Sequence, residues 1–150
     1  MLTIGIEDLL GYVFYDKDTL NRALTRKAFA NEQKQRNCPC LDQEIFSTLG
    51  DAVLKTVLVD LLIRAGCSTP DEITQKKKEL EREELLSRIA GEIRIGSFIH
   101  LGAGEEKHHA DQQPYVLAET LEALIGAIFI DGGYEAAEQR IKRWFDPYLP

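Results

Sequence analysis

Two long apolar stretches, each carrying acids that packing alone does not explain, constrain this chain more than any other feature. Residues 43–60 read QEIFSTLGDAVLKTVLVD and residues 117–131 read LAETLEALIGAIFID, with apolar side chains at the three- and four-residue steps of a helix. At about 100° per residue, Glu44, Ser47 and Asp51 share one side of the first helix, and Leu54 and Leu58 continue that side. Asp51 is therefore expected to share its face with aliphatic residues. In the second stretch Ala118, Ile125, Gly126 and Phe129 are the helical neighbours of Glu122, and every residue from Ala123 to Ile130 is apolar or glycine. An unpaired carboxylate taken out of water costs on the order of several kcal/mol, which leaves protonation, a cationic partner or a metal ion as ways to hold it.

The rest of the composition sets the frame. A chain of 150 residues, 44% hydrophobic and 29% charged, suits one globular domain over residues 1–150. No apolar run reaches the roughly 18 residues of a membrane span, and the N-terminus has neither a basic region nor a long apolar one behind it. A cytoplasmic protein without a membrane partner is expected. Three cysteines, Cys38, Cys40 and Cys67, are an odd count and read as free thiols. With one of His100, His108 or His109 they offer four zinc donors, but Cys-x-Cys lacks the usual ligand spacing. The net charge of −7 counts against a generic nucleic-acid binder, whose footprint is usually a basic surface. Divalent ions over clustered acids would change that locally, since they hold phosphates themselves.

Helical spacing covers residues 6–14, and Asp16 or Asp18 caps a second helix through Leu20, Ala23 and Leu24. Residues 31–42, polar and broken by Pro39, read as a loop. The central helix is expected over 42–64, with Gly66 as a left-handed cap beyond its end. Gly50 costs that helix up to about 1 kcal/mol, a sign that something approaches its backbone closely. Thr69, Pro70 and Glu72 form the start of another helix, a capping box with proline at the first position. Lys76, Lys77 and Lys78 on it form a basic cluster, balanced by Glu79, Glu81, Glu83 and Glu84, that reads either as a solvated face or as a phosphate contact. Gly96, Gly102 and Gly104 mark turns, residues 102–114 read as a polar loop, and the second core helix runs from Pro114 to Asp131, Gly132 and Gly133. Residues 134–145 close the chain as an amphipathic helix. No segment alternates with period two, so the class is all-α.

If Asp51, Glu119 and Glu122 converge, they offer the oxygen-only site that Mg²⁺ or Mn²⁺ prefers. Glu119 also suits the first turn of its helix, where the dipole favours an acid facing solvent. A buried Arg or Lys would satisfy any of the three equally well.

These residues resemble the ribonuclease III family, whose signature helix reads roughly NERLEFLGDAVL and whose second motif reads roughly LADTFEALIGAIYLDGG. Here they stand at residues 43–54 and 117–133, and ALTRKAFANE at 23–32 and LGAGEE at 101–106 are similar to the family's ALTHRSYANE and LGKGEE. The resemblance implies a ribonuclease III-like helical bundle, a homodimer that cuts double-stranded RNA with divalent metal ions. It implies metal-binding roles for Asp51 and Glu122, the two catalytic acids, and for Glu44 and Glu119, with Lys76, Lys77 and Lys78 as candidates for RNA contact. Three departures accompany it. Ser47 stands where the family has a second signature Glu, Glu119 where it usually has Asp, and Thr48 where it tends to place a Phe plug into the dimer partner. No double-stranded-RNA-binding domain follows, so RNA affinity is expected from this domain or a partner. Two functions are compatible with the resemblance: a Mg²⁺-dependent endoribonuclease, or a catalytically impaired domain of the same fold that binds structured RNA or ribonucleoprotein. A homodimer also fits a central helix whose Leu49, Val53, Leu54, Val57, Leu58, Leu61 and Leu62 cover most of its circumference.

Overall fold

The computed structural model describes residues 5–150; residues 1–4 of the expected domain lie outside the described residues. Nine α-helices follow one another among them: α1 (Ile6–Leu10), α2 (Lys17–Ala23), α3 (Lys27–Gln35), α4 (Glu44–Arg64), α5 (Pro70–Leu80), α6 (Glu83–Ile93), α7 (Ala103–Lys107), α8 (Pro114–Gly132) and α9 (Tyr134–Phe145). Short 3₁₀ turns occupy Gly96–Phe98, Ala110–Gln112 and Asp146–Tyr148. The one extended pairing among the described residues is an isolated parallel bridge between Thr25 and His100. The fold is all-α.

Helices α4 and α8 are the centre, packed on each other and surrounded by α2, α5, α6 and α9. Leu54, Leu58 and Leu62 of α4 and Leu121, Leu124 and Ile128 of α8 are wholly buried, each worth roughly 1.5–3 kcal/mol of apolar burial. Two glycines let the helices touch backbone to backbone. A Cβ on Gly50 would overlap the carbonyl oxygen of Glu122, and one on Gly126 would overlap that of Phe46. The close approach expected at Gly50 is therefore the α4/α8 crossing itself.

Local sequence chemistry sets most helix ends. Gly66, at φ +102°, follows α4 as the left-handed residue of a Schellman motif: its N–H donates to Ile63 (3.0 Å), and that of Cys67 donates to Leu62 (3.0 Å). Thr69 accepts the Glu72 N–H (3.2 Å), while the Glu72 carboxylate reaches back to Ser68 (3.3 Å) rather than to Thr69. Asp16 caps α2 by accepting from Asp18 (2.9 Å). At the far end of α8, Asp131 accepts from the Tyr12 hydroxyl (2.6 Å) and from the Tyr15 (2.9 Å) and Asp16 (3.0 Å) N–H groups, which fastens the N-terminal turns to the core.

Several expectations are corrected. Helix α1 stops at Leu10 because Gly11 turns left-handed at φ +72°. Helix α3, Lys27–Gln35, is not among the expected helices; it takes up the first part of the expected loop, which therefore begins only after it, with Asn37 at φ +60°. Helix α4 starts at Glu44, and Asp42 instead accepts the Glu44 N–H from outside (2.9 Å). The stretch 102–114 is not a plain loop: Glu105 accepts the Gly102 N–H (3.2 Å) and starts α7, and Glu32 of α3 accepts the Ala103 N–H (2.7 Å). The apolar residues of α4 are also covered within one chain. Val53, Leu54, Val57, Leu58, Leu61 and Leu62 are buried against α8, α5 and α9, so they supply no surplus face for a partner. The exposed large apolar side chains of α4 are Ile45 near its start and Ile63 near its end, with Leu41 exposed just before it.

Candidate functional site

The glycine crossing sets Asp51, next to Gly50, against Glu122, whose own carbonyl Gly50 contacts. Glu122 lies between the wholly buried Leu121 and Ala123, and its carboxyl is hydrogen-bonded to that of Asp51. Burial first, then the hydrogen bond and the negative charge of Asp51, push Glu122 from an ordinary 4.5 up to about 8. Burial would also raise Asp51, but the hydrogen bond from Glu122 and the Lys55 ammonium outweigh it and hold Asp51 low. At neutral pH the pair thus keeps one proton, on Glu122. Asp51 shares its side of α4 with the buried Leu54 and Leu58, but it is not enclosed with them. Its side chain is 45% exposed at the rim of the apolar face and pairs with Lys55, one turn on, at 3.0 Å.

A second constellation centres on Arg26, just before α3. Its Nη1 donates to Glu119 (2.8 Å) and to Gln43 Oε1 (3.1 Å), and its Nε donates to Glu105 (3.1 Å). The guanidinium side chain is only 12% exposed. Burial opposes its charge, but the two carboxylates more than compensate and strengthen its hold on the proton. Gln43 is completely buried, with its Nε2 donating to Ala23 O (2.7 Å) and Thr120 Oγ1 (3.3 Å). Glu119 is thus held by a partly buried arginine.

Glu44 lies apart from both groups, half-exposed and 3.4 Å from Lys27. Ser47 is half-buried one turn before Asp51. Lys76 pairs with Glu72 (3.4 Å) and Lys77 with Glu81 (3.2 Å), Lys78 is exposed, and the charge of Lys77 reaches Asp51. The structure therefore joins Asp51 to Glu122 and engages Glu44 and Glu119 in separate ion pairs. Among the described residues no three His, Cys, Asp or Glu side chains stand together as a ready metal cluster. The donor pair nevertheless fits a hard divalent ion: Mg²⁺ commonly takes one or two carboxylates and fills its other positions with water. The proton retained between two touching carboxyl groups marks the place where a cation would substitute for it.

Sequence reasoning missed Arg26, Gln43, Glu105 and Lys55 as members of this region. Lys55 was legible as an ion-pairing neighbour four residues after Asp51, and Glu105 as an acid three residues after Gly102. Nothing local marks Arg26 as the partner of an acid 93 positions away. A depression of about 500 Å³ bounded by Asn21, Arg22, Cys40, Leu41 and Phe46 does not include the acid pair.

A sequence profile described as Ribonuclease-III-like matches residues 16–149. The chain belongs to the ribonuclease III family. A Ribonuclease 3 of Syntrophotalea carbinolica is 39% identical over 145 residues, covering 96% of this chain and 62% of the relative. One from Geobacter sulfurreducens is 34% identical over 148 residues, covering 98% and 59%. The chain thus spans about three fifths of the length of these curated ribonuclease III relatives. Two solved structures of the nuclease domain of ribonuclease III from Campylobacter jejuni share the fold. One has a TM-score of 0.86 at 30% identity, over 95% of this chain and 94% of that one, and is described for structural flexibility in its region involved in dimer formation. The other has a TM-score of 0.84 at 31% identity, over 97% and 94%. No helix of the described residues is long and apolar enough to cross a membrane.

Proposed function

We propose that this chain is the endonuclease domain of a divalent-metal-dependent ribonuclease that cuts double-stranded RNA, as a homodimer in the cytoplasm. The observation that carries the reading is the Asp51–Glu122 carboxyl pair, held by a backbone crossing inside a ribonuclease III-family fold. Catalytic acids are commonly found with such displaced proton affinities.

Asp51 and Glu122 would hold Mg²⁺ or Mn²⁺, and an ion bound there supplies a nucleophile at neutral pH and stabilises the leaving oxygen of a phosphodiester. Glu122 gives up its proton on binding, and Lys55, half-exposed and tied only to Asp51, swings aside. Lys76, Lys77 and Lys78 on α5 lie close enough for Lys77 to be felt at Asp51, which supports them as contacts for the RNA backbone. With few such cations, cleavage should weaken with added salt more shallowly than for a strongly basic protein. The A-form minor groove and its 2′-hydroxyls are what would let such a domain tell duplex RNA from duplex DNA. Homodimerisation is supported by the exposed Leu41 (66%), just before α4, and Ile45 (68%), at its start. Free cysteines, two of them exposed, support a reducing, cytoplasmic setting.

Incubation with duplex RNA tests the reading. Cleavage should require Mg²⁺ or Mn²⁺, spare duplex DNA and vanish in Glu122→Gln while RNA binding persists. Ser47→Glu, which adds a carboxylate one turn from Asp51, should raise activity at low Mg²⁺. Binding of duplex RNA without cleavage at any concentration of either ion would replace the nuclease by an RNA-binding module. Sedimentation equilibrium showing only a 17.0 kDa species at micromolar concentration would remove the homodimer.

A further inference from the structure

The two side-chain cations wired into the acidic region bear on how many metal ions it takes. Asp51, Glu105, Glu119 and Glu122 meet two cations in direct ion pairs, Lys55 at Asp51 and Arg26 at Glu105 and Glu119, and no three of the acids stand together as a ready metal cluster among the described residues. The cations differ in how firmly they are held. Lys55 makes one ion pair and is nearly half exposed, so it yields to a competing ion. Arg26 donates to three acceptors at 2.8 to 3.1 Å and is largely out of solvent. One of its acceptors, Gln43, is locked by its own bonds to Ala23 and Thr120. Pulling Glu119 away would leave a guanidinium short of an acceptor in a partly buried setting.

Resting on the nuclease reading above, we infer that the centre of this chain takes one divalent ion, at Asp51 and Glu122, and that Arg26 is a positioning residue that withholds Glu119 from it. Arg26 supplies as a fixed cation part of the compensation that a further metal ion would otherwise provide. Ser47, one turn before Asp51, is neutral, so that position adds no carboxylate to draw in a second ion.

Titration of the chain with Mn²⁺, with the free ion counted by electron paramagnetic resonance, reads the number bound without reference to turnover. The parent should bind one ion. Glu119→Gln, which keeps an oxygen for Arg26, should still bind one with affinity within about threefold of the parent, whereas Glu122→Gln should lose at least about tenfold. In Arg26→Gln, checked for folding by circular dichroism, the freed Glu119 should tighten binding by about tenfold or add a second ion, and combining it with Glu119→Gln should return the parent's behaviour. Two ions in the parent, a loss of about tenfold or more in Glu119→Gln, or unchanged binding in a folded Arg26→Gln would overturn the inference; if Arg26→Gln does not fold, the Glu119→Gln result decides. A parent that cuts duplex RNA while binding two ions sinks the single-ion inference alone. A parent that binds one ion and never cuts sinks the nuclease reading, and one that binds none sinks both.

Discussion

Replacing Glu122 with glutamine isolates one proton whose affinity the fold has changed. In the folded, metal-free chain burial and Asp51 push this carboxyl from 4.5 up to about 8. Between those values the folded state holds a proton that the unfolded chain has released, so the contribution is fully present below about pH 4.5 and is lost as pH rises towards 8. At about 1.4 kcal/mol per pH unit, the span from about pH 5.5 to 8.5 would take roughly 3 kcal/mol from the parent's stability. The proton is shared with Asp51, and Glu122 is not wholly sealed from water, so on the order of 1–2 kcal/mol is the expected loss. Glu122→Gln cannot titrate and should lack this slope. Urea unfolding of both proteins in a chelator, across that range, measures the difference directly, since groups common to the two cancel. Glutamine should gain on the parent steadily as pH rises, and saturating Mg²⁺ should restore the parent because the ion replaces the proton. A parent–variant difference that stays constant with pH would refute the shared-proton arrangement.

Three further substitutions probe what holds the site. Gly50→Ala gains up to about 1 kcal/mol of helix propensity but drives a methyl into the backbone carbonyl of Glu122, where nothing can rotate away. Overpacking of about 1–3 kcal/mol or more should win, and a variant at least as stable as the parent in urea would contradict the crossing. Gln43→Leu strands the Ala23 carbonyl and removes an acceptor from Arg26; a destabilisation of about 2–3 kcal/mol is expected in the same assay. Asp131→Asn keeps one accepting oxygen where three donors converge and should cost about 1–3 kcal/mol. The cost should shrink as acid protonates the parent's Asp131, whose donors hold its pKa low against burial. An equal loss at every pH would rule out the charged form as the anchor.

Periodicity made α4, α8 and α9 legible, and cap chemistry placed Gly66 and Thr69, because those signals are local and repeat over several turns. Helix α7 escaped because five residues give no period to read, and α3 because Phe29 is its one large apolar residue and its last five are polar. Counting apolar residues around α4 misled for a different reason: spacing says that a surface must be covered, but not whether the same chain or a second copy covers it. The acid pair was legible only in part. Its two members were visible as acids in apolar helices, and their likeness to family motifs brought them together, whereas the tie from Arg26 to Glu119 joins residues that only the fold makes neighbours. The exposure of Asp51 was not legible because a rim position and a buried one differ by a rotation too small for spacing to resolve.

The backbone contact between Gly50 and Gly126 has a consequence for how the protein would lose activity. Its two acids are carried by the most deeply packed segments of the chain rather than by loops, so no partial opening separates them while the core stays shut. Amide hydrogens flanking the crossing should exchange only when the whole molecule opens. Heat inactivation of the proposed nuclease should then follow the unfolding curve itself, with no earlier phase in which a folded protein has already lost its centre.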